Sequence, residues 1–163
     1  MSIQRIAINT GGGDAPGLNA VIHAAVVSAE AQGWEIFGVR EGFEGLLAPE
    51  NYPDGGLTRL TRTMVRNIAH LGGTILGTTN RGNPLKYGVA QPDGSVRLSD
   101  RSDEVVRRFR EAGLDALISV GGDGSLSIAL ELSRKGLPVV GVPKTIDNDL
   151  QSTVTTFGFD SAV

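Results

Sequence analysis

Two segments of this chain repeat one pattern: an apolar run, a glycine-rich turn, a helix-like stretch and a second apolar run. The first segment starts with "RIAINT" at 5–10, continues through "TGGGDAPG", and predicts a helix over 18–33 and a strand over 34–40. Gly33 is placed to end that helix. Strand–helix–strand units of this kind arrange their strands in parallel. The pattern therefore predicts an α/β fold.

The second segment follows the same order near the other end of the chain. "DALISV" at 115–120 leads through "GGDG" to a predicted helix over 125–136 and a buried strand over 137–142. The polar run "PKTIDND" at 143–149 follows directly. Ligands of parallel α/β sheets bind at the carboxyl ends of the strands. Both glycine loops and the polar run fall at such ends, so we expect them to share one crevice.

The middle of the chain gives weaker signals. Residues 41–56 are rich in turn-forming types and predict irregular structure, and a short helix is expected around 61–69. The polar stretch 76–100 predicts a loop with a small hairpin. Residues 99–113 predict a helix, because Val105, Val106, Phe109 and Ala112 form an apolar stripe. Its predicted caps are Ser99 or Ser102 at the start and Gly113 at the end.

Composition limits the classes of function. The 163 residues are 40% hydrophobic and carry a net charge of -3, which suits one globular domain without a nucleic-acid or membrane partner. The absence of cysteine excludes disulfides and thiolate metal sites. No apolar run has transmembrane length, and the first residues lack a signal-peptide core, so we expect a cytoplasmic protein. Of the 23 glycines, many fall in three clusters, "TGGGDAPG", "GGTILG" and "VGGDGS", and the rest lie in scattered turns. The clusters lie beside strand-like runs, which indicates close backbone approach to a ligand.

The glycine clusters are typical of phosphate binding. "TGGGDAPG" at 10–17 follows a strand and opens a helix, where backbone amides and the helix dipole attract anions. It lacks the Walker A lysine and the GxGxxG spacing, and a tight turn is the alternative. "GGDGS" at 121–125 places Asp123 where Mg²⁺ and phosphates can approach, with an Asp-Gly turn as the alternative.

The run "PKTIDND" is the candidate for chemistry. Asp147 and Asp149 lie two residues apart, and in an extended stretch their side chains point to the same side. One carboxylate can then act as a base while the other orients it or tunes its pKa. Thr145 can bind a phosphate or hydroxyl, and Lys144 can neutralise phosphate charge. The alternative is a capping turn, because Asp and Asn bond to their own backbone.

The motifs "GGGDAPGLNAVI", "GGTILGT", "VGGDGS" and "PKTIDNDL" stand together in an order and spacing that resemble the 6-phosphofructokinases. The resemblance runs from about residue 3 to residue 163. It implies a three-layer Rossmann-like domain, the N-terminal nucleotide-binding half of that fold. It also implies phosphoryl transfer from a nucleoside triphosphate with Mg²⁺ to the 1-hydroxyl of fructose 6-phosphate.

The resemblance assigns roles to individual residues. Asp147 resembles the general base, Asp149 its supporting carboxylate, and Asp123 the Mg²⁺-linked acid. Thr145 and Ile146 resemble substrate contacts beside Asp147. The residues that resemble nucleotide contacts are Gly12, Gly13, Gly82, Gly122, Asp123, Gly124 and Ser125.

An arginine of the family steadies the moving phosphoryl group after the "GGTxLG" stretch. Asn80 stands at that place here, with Arg81 beside it, so Arg81 is the expected catalytic and ATP-binding substitute. The alternative for Arg81 is a solvated loop charge.

Two positions bear on the phosphoryl donor. Pyrophosphate-using relatives carry aspartate after "GGD" and lysine before "TIDND", whereas common ATP enzymes carry glycine at both. Gly124 and Lys144 form a mixture. Because Gly124 leaves room for the inner phosphate of the nucleotide, ATP is the expected donor and pyrophosphate the alternative. Lys144 is typical of an ATP user from the pyrophosphate-like lineage.

Chains of the family are longer, and their second half carries further residues that grip the sugar phosphate. We therefore expect residues 1–163 to be a truncated nucleotide-binding domain with little kinase activity alone, from an enzyme that is a homodimer or homotetramer. Two alternatives are open. NAD and lipid kinases share "GGDG" but lack "TIDND", and a non-catalytic nucleotide-binding module would keep the loops without the reaction.

Overall fold

The chain folds around two β-sheets and five helices in the computed structural model, which describes residues 3–79 and 82–162. The strands are β1 Arg5–Thr10, β2 Glu35–Val39, β3 Leu57–Leu60, β4 Tyr87–Ala90, β5 Val96–Ser99, β6 Ala116–Gly121 and β7 Val139–Pro143. The α-helices are α1 Leu18–Ala31, α2 Glu44–Leu47, α3 Ser102–Glu111, α4 Asp123–Arg134 and α5 Phe159–Ala162. Short 3₁₀ turns occupy Pro49–Asn51 and Pro84–Lys86.

The central sheet has the strand order β3-β2-β1-β6-β7. β1 pairs in parallel with both β2 and β6, and β6 pairs in parallel with β7. Only β3, paired with β2, runs antiparallel among the described strands of this sheet. The predicted mostly parallel α/β sheet is confirmed, and its carboxyl edge gathers the ends of β1, β6 and β7.

Apolar layers cover both faces of the sheet, as a three-layer fold requires. Ile6 and Ile8 of β1 point to the face that packs against α1. Ala7 between them belongs to the opposite core, which Phe109 of α3 and Leu132 of α4 complete. Since Ile8 and Leu132 are fully buried, these layers fix the strand ends that carry the polar loops.

Two predictions for the middle of the chain are wrong. The expected helix around 61–69 is a series of turns, because Asn67 has a φ of +65°, which a right-handed helix does not accept. Just before it, Leu57–Leu60 forms a strand that the sequence pattern did not indicate. Residues 41–56, expected to be irregular, contain the short helices Glu44–Leu47 and Pro49–Asn51.

Most other boundaries hold within about two residues, but α3 begins at Ser102, about three residues after the predicted start at 99. The small hairpin is confirmed as β4 and β5, and Gly33 adopts the left-handed conformation expected after α1, with a φ of +72°. Arg101, rather than either predicted serine, is the N-cap of α3. The Asp100 carboxylate, one residue earlier, accepts a hydrogen bond from the Ser102 amide at 2.8 Å. The second glycine loop is shorter than expected because α4 already begins at Asp123. No helix of the described ranges is long and apolar enough to cross a membrane.

A polar pair lies inside the sheet. Asn9 of β1 stands opposite Ser119 of β6, and both are 1% exposed. The Asn9 Nδ2 donates to the Gly42 carbonyl at 3.2 Å. The Ser119 hydroxyl makes no hydrogen bond within residues 3–79 and 82–162. A buried hydroxyl without a partner costs about 1–3 kcal/mol, so the sheet tolerates Ser119 at the expense of stability.

We expect Ser119→Ala to raise the free energy of unfolding by about 1 kcal/mol, because it removes an unpaired buried hydroxyl. Ser102→Ala is the matched control: Ser102 is equally buried, but its hydroxyl donates to Asp100. The control substitution should lower the free energy of unfolding by about 1 kcal/mol, because it removes this hydrogen bond. Urea unfolding followed by the fluorescence of the single tryptophan, Trp34, measures both. Equal destabilisation by the two substitutions would contradict the claim that the unpaired Ser119 hydroxyl lowers stability.

Candidate functional site

A cavity of about 490 Å³ opens at the carboxyl edge of the central sheet. Three segments line it: residues 11–14 after β1, residues 122–125 after β6, and residues 144–147 after β7. The topology brings these loops together, as the sequence predicted, because neighbouring parallel strands end at the same edge.

The first glycine loop is held by its backbone. The Gly11 amide donates to the Val120 carbonyl at 2.9 Å, and the Gly12 carbonyl accepts from the Thr78 hydroxyl at 2.5 Å. Gly12 has a φ of +79°, a conformation that side chains disfavour. Before it reaches α1, the loop is thus bonded to the end of β6 and to Thr78.

The two glycine loops touch through positions that only glycine fits. A Cβ at Gly11 would lie 2.6 Å from the Ser125 Oγ, and a Cβ at Gly121 would lie 2.4 Å from the Ser125 Cβ. A side chain at Gly11 would press against Ser125 of the other loop, and one at Gly121 would press against Ser125 and lie 3.1 Å from the Gly11 carbonyl oxygen. The glycines therefore let the backbone of both loops approach the Ser125 side chain closely.

The start of α4 forms one wall of the cavity. Gly122 is its N-cap, and Asp123, Gly124 and Ser125 belong to its first turn. The first amides of a helix lack intrahelical partners and carry partial positive charge, so this end attracts anions. A Cβ at Gly124 would meet no atom of residues 3–79 and 82–162 within 4 Å, so these residues leave the space beside it open.

Lys144 connects the first loop to the polar run. The residue is 5% exposed, and its Nζ donates to the Gly13 carbonyl. Its backbone amide donates to the Gly121 carbonyl at 2.9 Å. Burial lowers the pKa of the Lys144 ammonium below its ordinary value, and nearby Asp14 only partly opposes this shift. A polyanion in the cavity would therefore meet a weakly solvated cation.

The two aspartates of the polar run have different surroundings, which corrects one premise of the sequence analysis. The stretch is not extended, because Asn148 between them has a φ of +50°. Asp147 lines the cavity, whereas Asp149 lies outside the lining and accepts from the Thr145 hydroxyl at 3.1 Å. The Thr145 oxygen in turn accepts from the Asp147 amide at 3.1 Å. Among the described residues, Asp149 is thus connected to the cavity through Thr145.

The structure places most of the predicted site residues around this one cavity. The predicted residues that line it are Gly12, Gly13, Gly82, Gly122, Asp123, Gly124, Ser125, Lys144, Thr145, Ile146 and Asp147. Arg81 lies outside the described residues. The roles of these residues stay predictions.

Sequence reasoning missed part of the lining. The additional residues outside the predicted motifs are Gly42, Phe43, Thr79, Asn83 and Ile128. Gly11 and Asp14 also line the cavity and belong to the predicted motif "TGGGDAPG", although no individual role was assigned to them. Gly42 and Phe43 follow the carboxyl end of β2, so the rule that identified the other loops could have identified this one. Ile128 gave no such signal, because it is an apolar residue within α4.

The cavity offers oxygen ligands that fit a magnesium ion. Asp123 and Asp147 both line it, although no three metal-binding side chains cluster in the described part of the chain. Mg²⁺ is commonly held by one or two carboxylates together with substrate phosphates and water, so a preformed cluster is not required. The donor set suits Mg²⁺ that arrives with a phosphorylated ligand.

Comparison with known proteins agrees with this geometry. The family model described as Phosphofructokinase matches residues 5–163. The chain is 50% identical over 160 residues to an ATP-dependent 6-phosphofructokinase of Chloroflexus aggregans, covering 98% of this chain and 42% of that protein. It is 46% identical over 161 residues to a pyrophosphate–fructose 6-phosphate 1-phosphotransferase of Amycolatopsis methanolica, with coverage of 98% and 42%.

Solved structures show the same fold. Phosphofructokinase from Pichia pastoris in the T-state superposes with a TM-score of 0.79 at 29% identity, over 97% of this chain and 17% of that one. The chain spans 42% of the length of the first curated relatives it matches. Because the family model covers nearly every residue and includes all three loops of the cavity, the chain belongs to the phosphofructokinase family.

Proposed function

We propose that this chain provides the donor-binding and base-bearing part of a 6-phosphofructokinase. The reaction is phosphoryl transfer from MgATP to the 1-hydroxyl of fructose 6-phosphate. One observation carries the proposal: both glycine loops and Asp147 line the same cavity at the carboxyl edge of the sheet. Phosphoryl transfer depends mainly on alignment and charge neutralisation, and such a cavity supplies both.

The walls of the cavity bind and orient the donor. Amides of the α4 N-terminus attract the phosphates, and Lys144 adds a cation beside Gly13. In the first glycine loop, the Gly11 and Gly12 amides already donate to the Val120 and Thr79 carbonyls, so that loop shapes the wall of the cavity. Bound Mg²⁺, for which Asp123 is the proposed ligand, would neutralise charge on the phosphates. Arg81 remains the proposed contact to the transferring group.

Asp147 is the proposed base. Its carboxylate is exposed in the cavity, where the sugar hydroxyl can approach. It would accept the hydroxyl proton as the oxygen attacks phosphorus. Thr145 bonds to the Asp147 amide and to the Asp149 carboxylate, so Asp149 supports the base by fixing Thr145. Thr145 and Ile146 also line the cavity and are the proposed sugar-phosphate contacts.

Gly124 favours ATP over pyrophosphate. The space beside it is open, and an aspartate there would place a negative charge next to the inner phosphates of a nucleotide. Pyrophosphate is the second candidate donor, for two reasons: Lys144 is typical of pyrophosphate users, and a pyrophosphate-dependent relative is 46% identical. An ATP-dependent relative from Synechocystis has the same identity, 46%, and the ATP-dependent relative from Chloroflexus aggregans has 50%.

The complete reaction belongs to the complete protein. This chain covers 42% of its relatives' length, and we propose that other parts of the protein, or a neighbouring subunit of a homodimer or homotetramer, grip the sugar phosphate. Activity assays therefore use the polypeptide at its full natural length.

We expect Asp147→Asn to lower kcat by about 10²–10⁴-fold, because the amide cannot accept the hydroxyl proton. The Kd for MgATP should stay close to that of the unmodified protein, since the glycine loops are unchanged. A coupled assay for fructose 1,6-bisphosphate and calorimetry measure the two quantities. Asp103→Asn, on the first turn of α3 and outside the cavity lining, is the matched control. Retention of full activity in Asp147→Asn would refute its role as base.

Replacing Gly124 by Asp should weaken the use of ATP by at least about tenfold in kcat/KM, through repulsion of the inner phosphates. Use of pyrophosphate should fall less. Gly124→Asn is the control, because it has the same size without the charge. The fold should be unaffected, since a Cβ at this position meets no neighbour within 4 Å among the described residues. A protein that already prefers pyrophosphate before the substitution would show the donor assignment to be wrong.

A further inference from the structure

The backbone turns sharply at Asn148, between the two aspartates of the polar run. Its φ is +50°, a left-handed conformation that residues with side chains seldom adopt, although asparagine does so more readily than most. An extended backbone would send both aspartates to one side. The turn instead leaves Asp147 at the cavity wall and Asp149 against the Thr145 hydroxyl.

The Asn148 side chain is held by the segment that follows it. Its Oδ1 accepts a hydrogen bond from the Thr156 amide at 2.9 Å, and its Nδ2 donates to the Val154 carbonyl at 3.4 Å. An unusual backbone conformation persists only where the surroundings hold it. These two bonds hold the turn at Asn148.

Thr156 also contacts the polar run, through Thr145. It is 2% exposed, and its hydroxyl donates to the Thr145 carbonyl at 2.9 Å. The next residue, Phe157, pairs with Lys144 as a parallel bridge and packs against the core on the α1 side. The loop over 148–156 is therefore anchored to the sheet at its end and tied to the aspartates through Asn148.

We propose that Asn148 is a positioning residue for phosphoryl transfer, an inference that rests on the proposed function. Its left-handed backbone and its bonds to the 154–156 segment hold Asp147 in the cavity and Asp149 on Thr145. Asn148 does not line the cavity, so it acts through its neighbours rather than on the reacting atoms. Displacing a reacting group by about 1 Å can slow a reaction by about 100-fold, so such a restraint affects the rate.

Asn148→Gly tests the restraint without backbone strain. Glycine accepts a positive φ, but it lacks the side-chain amide that bonds to residues 154 and 156. Ser152→Gly is the matched control, since Ser152 is exposed, lies in the same loop and has a φ of +62°. In the full-length protein, Asn148→Gly should lower kcat at least about tenfold while the KM for ATP is unchanged. Ser152→Gly should change neither constant.

Amide hydrogen exchange gives a readout that does not depend on activity. Asn148→Gly should speed exchange of the Thr156 and Asp147 amides, which the network protects. Ser152→Gly should leave both amides protected. Asn148→Asp keeps the Oδ1 acceptor and should retain protection of the Thr156 amide.

Full kcat in Asn148→Gly, or an equal loss in Ser152→Gly, would overturn the positioning role. Unchanged exchange of the Asp147 amide in Asn148→Gly would overturn it as well. A different result concerns the proposed function: if the unmodified full-length protein consumes neither ATP nor pyrophosphate with fructose 6-phosphate, that function fails, whatever the exchange experiment shows.

Discussion

Close contact between the two glycine loops determines the shape of the site. Gly11 and Gly121 both lie against Ser125, at distances that leave no room for a side chain. Lys144 adds a second connection, from the strand end of β7 to the Gly13 carbonyl. With the loops joined in this way, the start of α4 and the polar run necessarily lie on one cavity. The central sheet also brings the loops together, because β1, β6 and β7 are neighbouring strands that end at the same edge.

Much of this arrangement could be predicted from the sequence. Two strand–glycine loop–helix–strand segments imply parallel strands, and parallel strands place their following loops at one edge. The sheet, the two main crossover helices and the meeting of the three loops follow from that rule. The same rule predicts that Gly42 and Phe43, which follow the parallel strand β2, lie at this edge. The turn-rich composition of residues 41–56 indicated only irregular structure there.

Other features depend on contacts that a local pattern does not carry. Val65 and Ile68 have helical spacing and are both buried against α1, yet Asn67 breaks the helix with a positive φ. β3 is recognisable only through its pairing with β2. The separation of Asp147 from Asp149 depends on Asn148, whose conformation is held by a residue eight positions later in the chain. Residues that repeat every second position share a face only where the backbone is extended, and here it is not.

The central claim is that the three loops line a single site, in which the donor phosphates lie between the start of α4 and Lys144. Titration of the isotopically labelled chain with MgATP, followed by amide chemical shifts, tests it directly. Amides of residues 11–14, 122–125 and 144–147 should all respond, and their shifts should fit one Kd, because all three segments line the same cavity. A response confined to one loop, or separate Kd values for different loops, would contradict the account.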